Sequence, residues 1–250
     1  MRVAFVGKGG SGKSVLSGTL ARVLARRGRR VLALDVDTMP GLAFSLGIPI
    51  RDAGMPEELG ERQEGRGWVV RDGVTAEELV ERYAVSAPDG VLFLQLGKLP
   101  SRVKPGSTTA FRHVLEEFRA DGWSLVGDLA GGTRQPFFGW GDFAQVIAVV
   151  VEPSAKSLLS ARRLAGLAGT VDGTTVGIVA NKVRGEDDLR LIAQGATLPL
   201  IGVVPFDEEF AAADRAGRAL LDVAPGSPAV TAVESLAASL EHVVANGSTA

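Results

Sequence analysis

The chain has 250 residues, a formal net charge of −2 and 46% hydrophobic residues, enough for one large α/β domain with a substantial core. The charge excludes a global attraction to nucleic acid or anionic lipid, and no apolar run approaches the roughly 18 residues of a membrane span. Cysteine is absent, which excludes disulfides and every thiolate metal site. A strand starts at once after Met1, with no basic-then-apolar leader. A cytoplasmic protein is expected.

The run RVAFV (Arg2–Val6) is short, β-branched and aromatic, and predicts a buried strand. Gly7–Ser14, GKGGSGKS, follows with the spacing G-x-x-x-x-G-K-[ST] of a phosphate-binding P-loop. Gly7, Gly9, Gly10 and Gly12 allow backbone conformations that turn N–H groups toward phosphate oxygens, and Ser11 and Val15 belong to the same candidate nucleotide-binding stretch. A helix over Lys13–Arg27 presents its positive end to the anion, with Leu16, Leu20, Val23 and Leu24 as its apolar face. Lys13 is expected to reach the β- and γ-phosphates, and the Ser14 hydroxyl to ligate Mg²⁺.

Strands and helices then alternate. Arg29–Asp37 predicts a strand, Leu42–Leu46 a short helix closed by Gly47, and Arg51–Gly67 a surface excursion. Thr75-x-x-Glu78 is a capping box opening a helix over Ala76–Ala84. Asp89-Gly90 makes a turn before a strand over Val91–Gly97; a loop, Lys98–Thr108, leads to a helix over Thr109–Ala120. Strands are predicted over Trp123–Asp128, Val146–Glu152, Val176–Lys182 and Leu200–Val204. Helices are predicted over Ser154–Ala168, Glu186–Gln194, Glu208–Gly217 and Pro228–Ala245. Residues 246–250 are expected to be a disordered tail. This alternation implies a single α/β domain spanning 1–250: a doubly wound, mostly parallel sheet flanked by helices, a P-loop NTPase fold.

Ligands of such sheets sit at the carboxyl ends of the strands, where Asp35, Asp37 and Asp128 all fall. Asp128 closes the run SLVGD as a Walker B acid does, and is expected to hold Mg²⁺ through water. Asp37 is the candidate for orienting the attacking water. Asp35 is expected to brace Ser14 and the metal's waters.

These motifs carry a family resemblance. GKGGSGKS resembles the deviant Walker A motif of the MinD/ParA/nitrogenase-iron-protein class of ATPases. DVDTMPGLAFSLG (Asp35–Gly47) and DLAGGT (Asp128–Thr133) resemble their two switch segments. VVVEPSAKSLLSARRLAGLA (Val149–Ala168), VANKV (Val179–Val183) and VVPFDEEFAAADRAGRAL (Val203–Leu220) most resemble the maturation ATPases that help insert nickel into carbon monoxide dehydrogenase. The resemblance implies an ATP- and Mg²⁺-dependent switch that dimerises on its nucleotide and acts on a client protein. It makes Lys8 the signature lysine that crosses to the partner's phosphates. It makes Asn181, with Lys182, the adenine-reading site, and Pro205, Phe206 and Asp207 the loop covering the base.

Two features depart from that pattern. Lys104 and Gly106 stand where the nickel-inserting relatives carry a Cys-x-Cys pair, and the two histidines, His113 and His242, lie on separate predicted helices. Switch I reads Asp37-Thr38-Met39 where a proline often follows the aspartate.

A MinD/ParA-type positioning protein is the alternative, and a small-molecule ligase or kinase on the same fold a further one. The last predicted helix has no lysine or arginine, unlike a basic amphipathic membrane anchor, and the net charge does not favour nucleic acid. In the aromatic segment TRQPFFGWGDF (Thr133–Phe143), Phe137, Phe138 and Trp140 are expected to form a surface that contacts a client or a second copy.

Overall fold

The computed structural model describes residues 1–37, 41–50, 54–97, 104–132, 139–168 and 173–247. Ten strands are found among the described residues. They are β1 (Arg2–Gly7), β2 (Arg30–Asp35), β3 (Gly60–Gln63), β4 (Gly67–Val70), β5 (Val85–Ser86), β6 (Leu92–Gln95), β7 (Trp123–Asp128), β8 (Val146–Val151), β9 (Thr175–Val183) and β10 (Leu200–Pro205). The helices are α1 (Lys13–Arg26), α2 (Leu42–Leu46), α3 (Ala76–Tyr83), α4 (Pro105–Glu117), α5 (Ala155–Ala168), α6 (Glu186–Gly195), α7 (Glu208–Ala216), α8 (Leu220–Val223) and α9 (Pro228–Gly247).

Eight strands form one sheet in the order β10-β9-β8-β1-β7-β2-β6-β5. All pairings are parallel except β5 with β6. This is the expected doubly wound sheet. The central strands are buried on both faces because helices cover both; β8 is apolar along its whole length and every residue of it is buried. One core cluster, with Phe5, Leu16, Leu20, Ala148, Val150 and Leu236, lies on the α1 and α9 side. The other, with Leu34, Phe111, Val114, Ile147 and Leu164, lies on the α4 and α5 side.

The sheet's two edges differ from its centre. β5 has only two residues. At the other edge β10 pairs with β9 through a register that shifts twice, between Leu200 and Gly202 and between Val203 and Pro205.

Several boundaries move. The excursion after α2 contains an antiparallel hairpin, β3–β4, in the register Gly60↔Val70 to Gln63↔Gly67. The helix expected at Thr109 starts at Pro105, which occupies its first turn, where a missing N–H leaves no gap. The strand expected to reach Asp37 ends at Asp35. The Thr75/Glu78 capping box is formed in both directions. α9 runs through Asn246 and Gly247, into the expected tail; residues 248–250, Thr38, Met39, Phe137 and Phe138 lie outside the described residues. Trp140 is 8% exposed and packs on Phe111, with the Arg112 guanidinium 5.0 Å from its ring centre. It is therefore a core residue rather than part of a contact surface. Among the described residues no helix is long and apolar enough to cross a membrane.

Candidate functional site

The parallel register brings the carboxyl ends of β8, β1, β7 and β2 to one rim. Gly7 pairs with Val150, Phe5 with Asp128 and Asp128 with Asp35. The P-loop leaves β1 at this rim and enters α1. Gly12 is the N-cap of α1 in the left-handed region, φ 94°, without a side-chain cap, and the helix has no acid in its first turn. Its first N–H groups, from Lys13, Ser14 and Val15, therefore have no intrahelical acceptor and face the cradle, as an anion site requires. A Cβ on Gly12 would collide with Asn181 Nδ2, so the close approach demands glycine. The loop closes with Ser11 N–H donating to the Lys8 carbonyl at 3.2 Å.

Lys13 is buried, and its Nζ would be 3.8 Å from a Cβ placed on Gly131, just beyond β7. Ser14 Oγ faces Gly41, where a Cβ would lie 3.0 Å away. Both segments after the strand-end acids thus approach the P-loop. Local sequence singles out neither glycine.

The acids differ in what they hold. Asp35 is fully buried; its Oδ1 accepts from Asp37 N–H at 3.0 Å and its Oδ2 from Leu42 N–H at 3.2 Å. It thus braces the loop carrying Asp37 and the start of α2, which follow it in the chain. Burial, then the neighbouring Asp128, raise its carboxyl well above the usual range. Asp128 is also fully buried, and neither oxygen has a hydrogen-bond partner among the described residues. Burial pushes it up to about 6, against the pull of the Lys13 charge and the nearby Ser14 hydroxyl. A buried carboxylate on which burial outweighs these pulls is costly unless a further cation arrives. Two hard oxygen donors, Ser14 Oγ and Asp128, suit Mg²⁺ and not a thiolate-seeking metal.

On the other side of β1 stands Glu152, directly after β8. It accepts from Lys8 Nζ at 3.4 Å, Lys182 Nζ at 2.9 Å and Ser154 Oγ at 3.2 Å. These donors hold its carboxyl below the usual range although burial opposes them. Lys182 adopts φ 59°, a left-handed conformation uncommon for a residue with a side chain, and its Nζ also donates to the Gly10 carbonyl at 2.7 Å. Glu152 is absent from the residues expected at the site, although a lone acid closing a wholly apolar strand is the available signal.

Asn181 is 1% exposed; its Nδ2 donates to the Ser11 carbonyl at 2.8 Å and its Oδ1 accepts from Lys182 N–H at 2.9 Å. It buttresses the P-loop from behind. Pro205 closes β10. Phe206 donates its N–H to the Val183 carbonyl, and the Arg184 guanidinium lies 3.6 Å from its ring centre. The Asp207 carboxylate is engaged structurally, capping α7 through Glu209 N–H and accepting from Ala229 N–H at the start of α9. Lys104, just before α4, forms an ion pair with Glu57. Gly106 lies so close to the Glu57 carbonyl that any Cβ there would collide with it.

The chain matches a family model described as "CobQ/CobB/MinD/ParA nucleotide binding domain" over residues 3–221. It is 29% identical to the carbon monoxide dehydrogenase accessory protein CooC of Rhodospirillum rubrum over 90% of this chain and 91% of that one. It is 27% identical to an uncharacterised ATP-binding protein of Methanocaldococcus jannaschii, over 84% and 86% of the two chains. Its fold is similar to that of the septum site-determining protein MinD of Pyrococcus horikoshii, solved with Mg-ADP. The TM-score is 0.71 at 18% identity, covering 94% of this chain and 93% of that one.

Proposed function

Because this chain belongs to the CobQ/CobB/MinD/ParA nucleotide-binding family, we propose that it is a cytoplasmic ATPase switch. In this reading it pairs two copies on Mg·ATP and couples that cycle to a client protein, as an accessory or maturation factor. The observation that carries the nucleotide reading is the uncapped start of α1 facing a cradle that also holds the buried Lys13 and the buried, unsatisfied Asp128. The similarity to CooC across nine-tenths of the chain supports the accessory role.

The roles follow from charge and reach. N–H groups of the P-loop and of Lys13 to Val15 hold the phosphates, and the Lys13 ammonium neutralises the terminal ones. Ser14 and Asp128 hold Mg²⁺, which when bound offsets phosphate charge and the buried carboxylate together. Asp37, held by Asp35 through its N–H, orients the water. Lys8 supplies its ammonium to the phosphates of a second copy. Two facing triphosphates repel, and a lysine from each side offsets the repulsion. In phosphoryl transfers a cation supplied in this way contributes about 10³–10⁵ in rate.

Lys13→Ala tests the nucleotide site. It is expected to lose ATP affinity by at least about tenfold, since charge-assisted contacts contribute about 1.5–3 kcal/mol each. Unchanged affinity by titration calorimetry rejects the site. Mixing Lys8→Ala with Asp37→Ala chains tests the pairing. In a mixed dimer one site keeps its own Asp37 and receives an intact Lys8, so two inactive variants are expected to recover ATPase activity together. If Lys8→Ala alone pairs and turns over like the parent, Lys8 does not act across an interface.

A further inference from the structure

Lys8 is not idle in the single subunit. Its ammonium rests on Glu152 of the same chain, 3.4 Å away, and its side chain is 35% exposed. The same carboxylate holds Lys182 more closely, at 2.9 Å, and accepts from Ser154 Oγ. Lys182 in turn grips the Gly10 carbonyl of the P-loop. The two lysines are therefore unequal. Among the described residues Lys182 is tied twice and Lys8 once, by the longer contact.

That inequality has a physical consequence. If Lys8 leaves, Glu152 keeps one ammonium and one hydroxyl, so no bare carboxylate is left in a half-buried site. The P-loop keeps its grip through Lys182. Release costs only the one long ion pair, which partial exposure already weakens. A contact of this strength can hold a side chain at rest and still yield it to a triphosphate, whose charge is larger.

We propose that Glu152 is a positioning residue for Lys8: it parks the lysine against its own subunit in the nucleotide-free state and releases it when a second copy brings its phosphates. The inference rests on the reading that Lys8 acts across an interface. Its role is to set the threshold for pairing. Each dimer frees two lysines, so the cost of release enters twice.

Glu152→Gln tests this with an isosteric amide that retains the fold, verified by an unchanged thermal melt. One arm uses the nucleotide-free protein. After brief acetylation with an N-hydroxysuccinimide ester, modification of Lys8 is read by peptide mass spectrometry against exposed Lys156 as internal reference. Lys8 is expected to react about two- to fivefold faster in the variant, the range open to one half-exposed ion pair. A second arm measures pairing by sedimentation with a non-hydrolysable ATP analogue and Mg²⁺. Half-dimerisation is expected at about two- to tenfold lower protein concentration, because the release cost is removed twice. Unchanged Lys8 labelling overturns the proposal. So does faster labelling with a pairing midpoint that stays put or rises. Labelling of the nucleotide-free protein does not depend on what Lys8 does in a dimer. A Lys8→Ala chain that still pairs therefore rejects the partner reading, while the labelling rate separately decides whether Glu152 holds Lys8.

Discussion

Asp128 is a fully buried acid that its surroundings hold away from its ordinary charge state. Its carboxyl is held near 6 where an unfolded chain has about 3.8. Between those values the folded protein keeps a proton that the unfolded chain has lost, so this group's contribution to stability falls as pH rises through the window. Asp128→Asn removes the liability. In EDTA and without nucleotide, the variant is expected to be more stable than the parent at neutral pH by on the order of 2–3 kcal/mol. The advantage shrinks as pH falls from 6 toward 4; thermal melts across that range check it. The same variant is expected to lose Mg²⁺-dependent nucleotide affinity, so stability and binding move in opposite directions. The P-loop residues were legible in the sequence because their chemistry depends on local spacing. Glu152 carried only the weak signal of an acid closing an apolar strand, since its lysine partners come from β9 and the P-loop and meet it only when the strands align.

At the level of elements, α1 is held at both ends. Its start faces the cradle, and near its end Arg22, 2% exposed, donates from Nε to Asp89 at 2.7 Å and from Nη2 to Asp222 at 2.8 Å. Asp89 itself sits at φ 62°, in the turn before β6. Arg22→Met leaves both carboxylates without this cation. A loss of about 1–3 kcal/mol is expected, because Asp222 is 44% exposed and Asp89 keeps Arg26 at 3.1 Å, so the carboxylates are only partly stranded; urea titration measures it. Restoring neutrality with Asp89→Asn in the same chain is expected to recover part of that loss. Strands with an apolar centre, such as β1, β7 and β8, were legible within a residue or so of their ends. The β3–β4 hairpin was not. β3 reads GERQ and offers no apolar residue to alternate; the packing of its partner against α4 makes it a strand. α4 begins early because Pro105, which punctuates a loop, also suits a helix's first turn.

For the whole molecule, alternation of strands and helices predicts a parallel, doubly wound sheet, but not that β1 lies between β7 and β8. That order depends on long-range pairing, which no local pattern encodes. The matched family region stops at residue 221, yet α9 beyond it buries Ala229, Val230, Val233, Leu236, Ala237 and Leu240 against α1 and β10. A chain ended after Gly226 is expected to lose cooperative unfolding and to be cleaved rapidly by protease, because that core face opens to water. The sheet's borders carry a different consequence. A strand can be lengthened sideways into a fibre only where an edge presents an even ladder of donors and acceptors. Here one border is two residues long, and the other breaks register twice and ends on a proline, which has no N–H to give. Among the described residues, neither border of the main sheet offers the even ladder that sideways growth requires. The proposed pairing uses the rim of strand ends instead, where two copies turn the same face to each other and the contact closes on itself.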